Sequence, residues 1–281
     1  MLREEAVDGL NVRPGGVYVD CTLGGGGHSR LIADRLGREG LLIGIDQDPH
    51  ALDAAQKNLA EAGCQIRLVR SNFRHLAEIL DELQIDEVDG FLFDLGVSSP
   101  QLDDQERGFS YHFDAPLDMR MDPARDFTAY DLVNTWPEKE IARILRQYGE
   151  ERFARRIAGH IVDRRKRTPI RTTRELAEII KEAIPAPARR SGPHPARRSF
   201  QAIRIAVNDE LGAFSSALDQ AIKRLRSGGR ICVISFHSLE DRICKRTFQK
   251  GERGCICPSD FPVCVCNQRP FLRSVTKKPI L

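Results

Sequence analysis

Short apolar runs alternate with amphipathic stretches over the first part of this 281-residue chain. Runs at 17–20, 41–45, 65–70 and 88–95 predict strands, the last apolar enough to be buried on both faces. Helices are expected after residue 27, from Pro49 to about residue 62, and over 73–83. Pro49 suits a first helical turn, where its missing N–H costs nothing. Strand–helix alternation of this kind implies a parallel, doubly wound α/β sheet. The rhythm then stops. Residues 98 to about 127 are loop-like and acidic, and helical periodicity returns at 138–147, 151–165 and 173–183. A Pro- and Arg-rich linker spans 185–195; one long helix is then expected over 200–225, a Gly228-Gly229 turn, a strand at 230–235 and a helix at 239–250. The predicted organisation is an α/β domain of 1–102 and 199–281 interrupted by a helical, substrate-binding insertion at 103–198.

The first strand runs into Gly24-Gly25-Gly26-Gly27 and then a helix. Glycine adopts positive φ and has no Cβ, so such a turn lets a ligand approach the backbone. The helix start behind it presents unpaired N–H groups. Asp46, at the tip of the second strand, lies 22 residues beyond Gly24, the place of a ribose-hydroxyl acceptor in Rossmann-like sites. The pattern implies a nucleoside-containing cofactor. A dinucleotide fingerprint would need a third glycine, but Ser29 stands there when Gly24 opens the motif.

Asp94 ends the fourth strand and faces the same carboxyl edge of the sheet, followed by Ser98, Ser99 and Gln101 in a loop able to cover a cofactor. His237 follows the last predicted strand; a base or substrate contact and a cap for the next helix are both open to it. Asp94, Ser99 and His237 are the candidate catalytic residues. Cys255-x-Cys257 and Cys264-x-Cys266 have spacings that suit either a zinc site or a packed hairpin of reduced thiols, although zinc pairs more commonly enclose two residues. No metal ligand is assigned from sequence.

Composition narrows the picture. The eight cysteines and the absence of any secretory stretch among the first residues fit a reducing, cytoplasmic setting. The net charge of +3 hides an asymmetry: 17 Lys/Arg against 6 Asp/Glu over 143–204, and 10 Asp/Glu against 4 Lys/Arg over 103–140. A basic block on a near-neutral chain is the electrostatic footprint of a polyanion. An NAD-type oxidoreductase and an RNA-binding protein with a merely structural cofactor are the competing functions.

Several stretches are far more specific than the glycine turn: Gly26-Gly27-His28, the run from Asp94 to Asp103, Gly108-Phe109-Ser110, the run from Pro116 to Asp122, residues 200–211 and the run from Ser235 to Asp241. On these the chain resembles, over nearly its whole length, the bacterial small-subunit ribosomal RNA methyltransferase H (MraW) family. The resemblance implies a class I, S-adenosylmethionine-dependent methyltransferase fold with a helical insertion, and N4-methylation of a cytidine in the decoding region of 16S rRNA. It implies cofactor contacts from Gly26, Gly27, His28, Asp46, Phe73, Asp94 and Gln101. It also implies small-subunit rRNA or the assembled subunit as partner, no membrane, and a homodimer as the oligomer to consider. Two departures stand out: the family usually has residues ahead of this start, and Arg197 replaces a common Thr.

Overall fold

The computed structural model describes residues 2–189, 192–253, 255, 257, 258, 261–266, 268–276 and 278–280, the Ser99 side chain excepted. Its elements begin with helix Arg3–Leu10 (α1), strand Val17–Asp20 (β1), helix Gly27–Leu36 (α2), strand Leu41–Asp46 (β2), helix Pro49–Asn58 (α3) and strand Gln65–Arg70 (β3). A 3-10 turn, Phe73–His75, leads into helix Leu76–Glu82 (α4) and strand Val88–Asp94 (β4). Helices Ser99–Asp103 (α5), Ala129–Thr135 (α6), Glu138–Gln147 (α7), Ala154–Arg165 (α8), Thr173–Ala183 (α9), Ala186–Arg189 (α10) and Arg197–Asn208 (α11) follow. Helix Glu210–Arg224 (α12), strand Leu225–Ile234 (β5) and helix Ser238–Arg253 (α13) complete the set. Two compact units result, Met1–Gly96 with Leu211–Leu281, and Val97–Glu210.

In the first unit the five strands are parallel in the order β3-β2-β1-β4-β5. Side chains alternate between its faces, as the strand pleat requires. Tyr18, Leu42 and Leu92 pack with Val7 and Leu10 of α1 and with Ile32 and Leu36 of α2. Val19, Ile43, Phe91 and Phe93 pack instead with Leu76 and Leu80 of α4 and Phe214 and Leu218 of α12. Helices therefore cover both faces, the doubly wound arrangement. Gly90 lies opposite Tyr18, and a Cβ there would come 2.7 Å from the tyrosine ring. The chain winds outward from β1 through β2 to β3, then restarts at β4 on the other side. Strand order reverses between β1 and β4, which places a ligand crevice at their carboxyl ends.

The helical unit has its own core, in which Leu132, Ile141, Ile144, Leu145, Ile157, Ile161, Leu176, Ile180, Phe200 and Ile203 are buried together. Its limits at 97 and 210 lie outside the expected 103 and 198, because α11 buries Phe200, Ile203 and Val207 in that core.

Several local features differ from the sequence pattern. The long helix expected over 200–225 is two, broken where Asp209 takes φ +49°. The break is held by buried Asn208, whose amide donates to the carbonyls of Met119 (2.7 Å) and Arg204 (2.9 Å) and whose Oδ1 accepts from the Met121 N–H (2.8 Å). Helical periodicity continues across the break, so the apolar pattern alone does not reveal it. β5 starts at Leu225, before the predicted 230, with Gly228 at φ +80° inside it and a register irregularity against Val88–Gly90. The acidic stretch after residue 98 contains α5 and a 3-10 turn, and α1 lacked a signal strong enough to predict.

Asn208→Ala removes the side-chain acceptor of the Met121 N–H and a donor to the Met119 carbonyl in a buried place. An unsatisfied buried group costs about 1–3 kcal/mol. The variant should lose about 2–4 kcal/mol in urea unfolding followed on the helical unit, and a loss within 0.5 kcal/mol would show that the break is held otherwise.

Candidate active site

At the carboxyl ends of β1, β2 and β4, three carboxylates stand on three neighbouring strand tips: Asp20, Asp46 and Asp94. The glycine turn hangs from them. The Gly24 N–H donates to Asp46 Oδ2 (2.9 Å), and the Asp48 N–H to Asp46 Oδ1 (2.9 Å). Gly24 and Gly26 have φ of +50° and +80°, so the turn needs both in the left-handed region. Gly26 also packs on α3, where a Cβ would sit 3.3 Å from Ala55 Cβ. Around Gly25 and Gly27, by contrast, a Cβ would meet nothing within 4 Å. Their missing side chains leave open space in front of the backbone, not room for the protein's own packing.

Asp20 is the buried hinge of this region. Its Oδ2 accepts from Ser29 Oγ in α2 (2.8 Å) and its Oδ1 from the Thr22 N–H (3.1 Å). Thr22 in turn uses Oγ1 to accept the Asp94 N–H (2.6 Å). Asp20, Thr22 and Ser29 were absent from the sequence-based site. Their signal was an acid at the end of a buried strand nine residues before a serine in the following helix. Asn58 Nδ2 holds the Gly25 carbonyl (2.9 Å), and Asn72 Nδ2 reaches Gln47 Oε1 (2.9 Å) between the loops after β3 and β2.

His28 and Asp94 meet directly, Nδ1 lying 3.6 Å from Oδ2. Both are largely buried, and among the described residues His28 Nε2 and Asp94 Oδ1 have no hydrogen-bond partner. Burial pushes the Asp94 carboxyl up and the His28 imidazole down, while each charged form of one favours that of the other. Buried polar atoms without partners at a switch-point crevice are the mark of a ligand that supplies them.

The remaining predicted residues divide. Phe73 opens the 3-10 turn after β3, half-buried, with its ring edge-on to Phe93 at 6.1 Å. His237 lies in the loop after β5, beside the tip of β4 by the Asp94–Ile234 register. Its Nε2 is 3.2 Å from Glu240 Oε1, and Glu240 Oε2 accepts from the Phe236 and His237 N–H groups at 2.8 and 3.3 Å. Glu240 thus closes the start of α13, with the His237 imidazole held beside it. Gln101 belongs to the helical unit, where its Oε1 accepts from the Ser98 N–H (3.2 Å) and its N–H reaches Ser98 Oγ (3.4 Å), a capping box on α5. The side chain of Ser99 lies outside the described residues.

Burial raises Asp20 and Asp46 from the ordinary carboxylate value to about 6, with their hydrogen bonds opposing the shift. The folded state thus holds these protons more tightly than the unfolded chain between about pH 4 and 6. Their contribution favours folding at low pH, declines as pH rises through about 6 and levels above. Asp20→Asn keeps an acceptor for Thr22 and can donate to Ser29 Oγ. The variant should therefore flatten the decline in stability of the cofactor-free protein between about pH 4 and 6, by on the order of 1–3 kcal/mol. Denaturant unfolding across that range reads it, and parallel curves for parent and variant would remove Asp20 as the source.

The sequence pattern of the MraW methylase family matches residues 1–281. The chain belongs to the MraW methylase family. Among curated proteins it is 60% identical over 281 residues to ribosomal RNA small subunit methyltransferase H of Brevibacillus brevis (strain 47), covering all of this chain and 90% of that one. A protein of the same name from Paenibacillus sp. (strain JDR-2) is 60% identical over 287 residues, covering 100% and 91%. One from Symbiobacterium thermophilum is 58% identical over 280 residues, covering 100% and 88%. This MraW methylase uses S-adenosylmethionine, and the crevice fits it. The open face of Gly25 and Gly27 admits a ligand to the backbone, and the unpartnered His28 Nε2 and Asp94 Oδ1 offer a polar contact each. The three buried carboxylates suit a cationic sulfonium.

Proposed function

We propose that this chain methylates the exocyclic N4 of a cytidine in the decoding region of small-subunit (16S) rRNA, with Asp94 taking a hydrogen bond from the amine. The observation that carries this is the buried Asp94 Oδ1 beside His28 at the tip of β4, without a hydrogen-bond partner among the described residues. S-adenosylmethionine supplies an already activated methyl group when bound, so the protein's task is mostly orientation.

Asp46 takes the ribose hydroxyls with the lone pairs its two backbone donors leave over. Phe73 meets the adenine edge. Gly26 and Gly27 let the ligand lie against the backbone, and His28 offers Nε2. The N4 lone pair of cytosine is delocalised into the ring. An acceptor on its N–H localises that pair toward the methyl group, and the ionised Asp94 carboxylate serves as this acceptor. His28 positions Asp94 through Oδ2, leaving Oδ1 to the substrate. His237, held by Glu240, contacts the target nucleotide. The work is cytoplasmic; no helix among the described residues is long and apolar enough to cross a membrane.

The helical unit holds the RNA. On α8 and just beyond it, Arg155, Arg156, Arg164 and Arg167 are exposed, while Ile157, Ala158 and Ile161 are buried. Arg165 is different: its guanidinium donates to the Val133 and Trp136 carbonyls at 2.7 Å each and ties down the end of α6. Charge reversal at Arg156, Arg164 and Arg167 should weaken RNA binding by roughly 10–100-fold and reduce its salt dependence, leaving cofactor affinity unchanged. Filter binding at several salt concentrations checks this, and an unaltered salt slope would place the RNA elsewhere.

The deciding experiment incubates the protein with isotopically labelled S-adenosylmethionine and either free small-subunit rRNA or assembled subunits, then maps modified nucleosides by mass spectrometry. A single N4-methylcytidine is expected. Label on C5, on ribose or on protein would overturn the proposal.

A further inference from the structure

Beyond α13 the described residues form no apolar interior of their own. Phe261, Val263, Val265 and Phe271 are 52%, 70%, 67% and 61% exposed. The segment nevertheless returns on itself: the Phe271 N–H donates to the Gly251 carbonyl (3.0 Å), and Leu272 packs where a Gly251 Cβ would stand. Something other than hydrophobic burial must close it, as in small folds stapled by disulfides or metals.

The four cysteines are in the right place. The sulfur atoms of Cys255, Cys257, Cys264 and Cys266 all lie within 4.8 Å of one another. Individual separations are 3.5 Å for Cys255–Cys264, 3.5 Å for Cys264–Cys266 and 3.8 Å for Cys255–Cys266. All four are free thiols. Four sulfurs at about 2.3 Å from one tetrahedral zinc would stand about 3.8 Å apart. A multi-iron cluster would hold its thiolates farther apart. The Val265 N–H points at Cys257 Sγ (3.4 Å), the backbone donation that steadies a thiolate ligand. Cations gather alongside: Arg246, Lys250 and Arg253 of α13 line one depression with Cys255 and Cys257. They offset the negative charge of four thiolates on one divalent ion.

We propose that Cys255, Cys257, Cys264 and Cys266 bind one zinc ion, a structural site that pins the segment after α13. Two residues between paired ligands are usual, but one suffices here because all four sulfurs lie within 4.8 Å of one another. Binding supplies folding free energy to a segment without a core.

The test uses the full chain, purified under reducing conditions from cells grown with zinc. About one equivalent of zinc is expected by elemental analysis. Replacement by cobalt should give the intense visible absorption of a tetrahedral tetrathiolate. Cys255→Ser and Cys264→Ser should each lose most of the metal, whereas Cys64→Ser keeps it. Should a variant misfold, chelation of the parent decides: zinc removal should raise hydrogen exchange at the described residues of 255–272 while S-adenosylmethionine binding persists. Protein that stays metal-free in excess zinc, metal that survives both serine variants, or iron in place of zinc would each overturn the proposal.

Discussion

Asp94→Asn should cut methyl transfer by about 10²–10⁴-fold, the range that positioned acid–base groups contribute, while S-adenosylmethionine affinity changes less than tenfold. The amide keeps the shape of the carboxylate and can still face His28. It removes the charge that pulls the N4–H toward an acceptor, and the crevice's burial makes that charge matter more than it would in water. The parent should also lose turnover on the acid side, since only the ionised carboxylate accepts and burial has moved its protonation upward. The asparagine variant should lack that limb. Single-turnover rates with saturating cofactor across pH, set beside cofactor titrations, separate the outcomes. Near-normal turnover would end the role assigned to Asp94. A rate loss accounted for wholly by weaker cofactor binding would reduce Asp94 to a cofactor ligand.

Asp46→Ala should weaken S-adenosylmethionine binding by roughly 10²-fold, the equivalent of one or two hydrogen bonds to a charged group. Two losses combine. The ribose hydroxyls lose their acceptor, and the Gly24 and Asp48 N–H groups lose theirs, so the glycine turn loosens as well. Asp46→Asn separates these contributions: an amide oxygen still accepts one backbone N–H, so its affinity should fall between the parent and the alanine variant. Calorimetric titration reads both, with rRNA affinity as the control that should not move. Intact cofactor affinity in the alanine variant would remove Asp46 from the ribose.

Local signals carried much of the site. The glycine run, the acid at the second strand tip and the apolar fourth strand ending in Asp94 each have a short-range cause: a backbone turn, a strand end, a buried run. The parallel sheet was legible for the same reason, since strand and helix periods differ. That Glu240, and not the His237 imidazole, accepts the two N–H groups before α13 shows only in the folded chain. Arg165 looked like its exposed neighbours on α8, yet its guanidinium ends α6 from the far side of a sequence gap of roughly thirty residues. Asn208 read as one more helical residue between apolar positions, and only its distant partners Met119 and Met121 turn it into the break.

The amino-acid sequence alone determined the α/β class and the strand tips where a nucleoside cofactor is expected, because each depends on periodicity or on residues close in the chain, and its motifs carried the resemblance to the family. The tertiary structure decided what depends on approach between distant segments. Asp20 became the buried link between β1, Thr22 and Ser29; His28 and Asp94 became a pair with two unpartnered atoms; four cysteines came within one ion's reach. Burial and long-range hydrogen bonds arise only when the chain closes on itself, and they set which carboxyl holds its proton and which side chain is left facing a ligand.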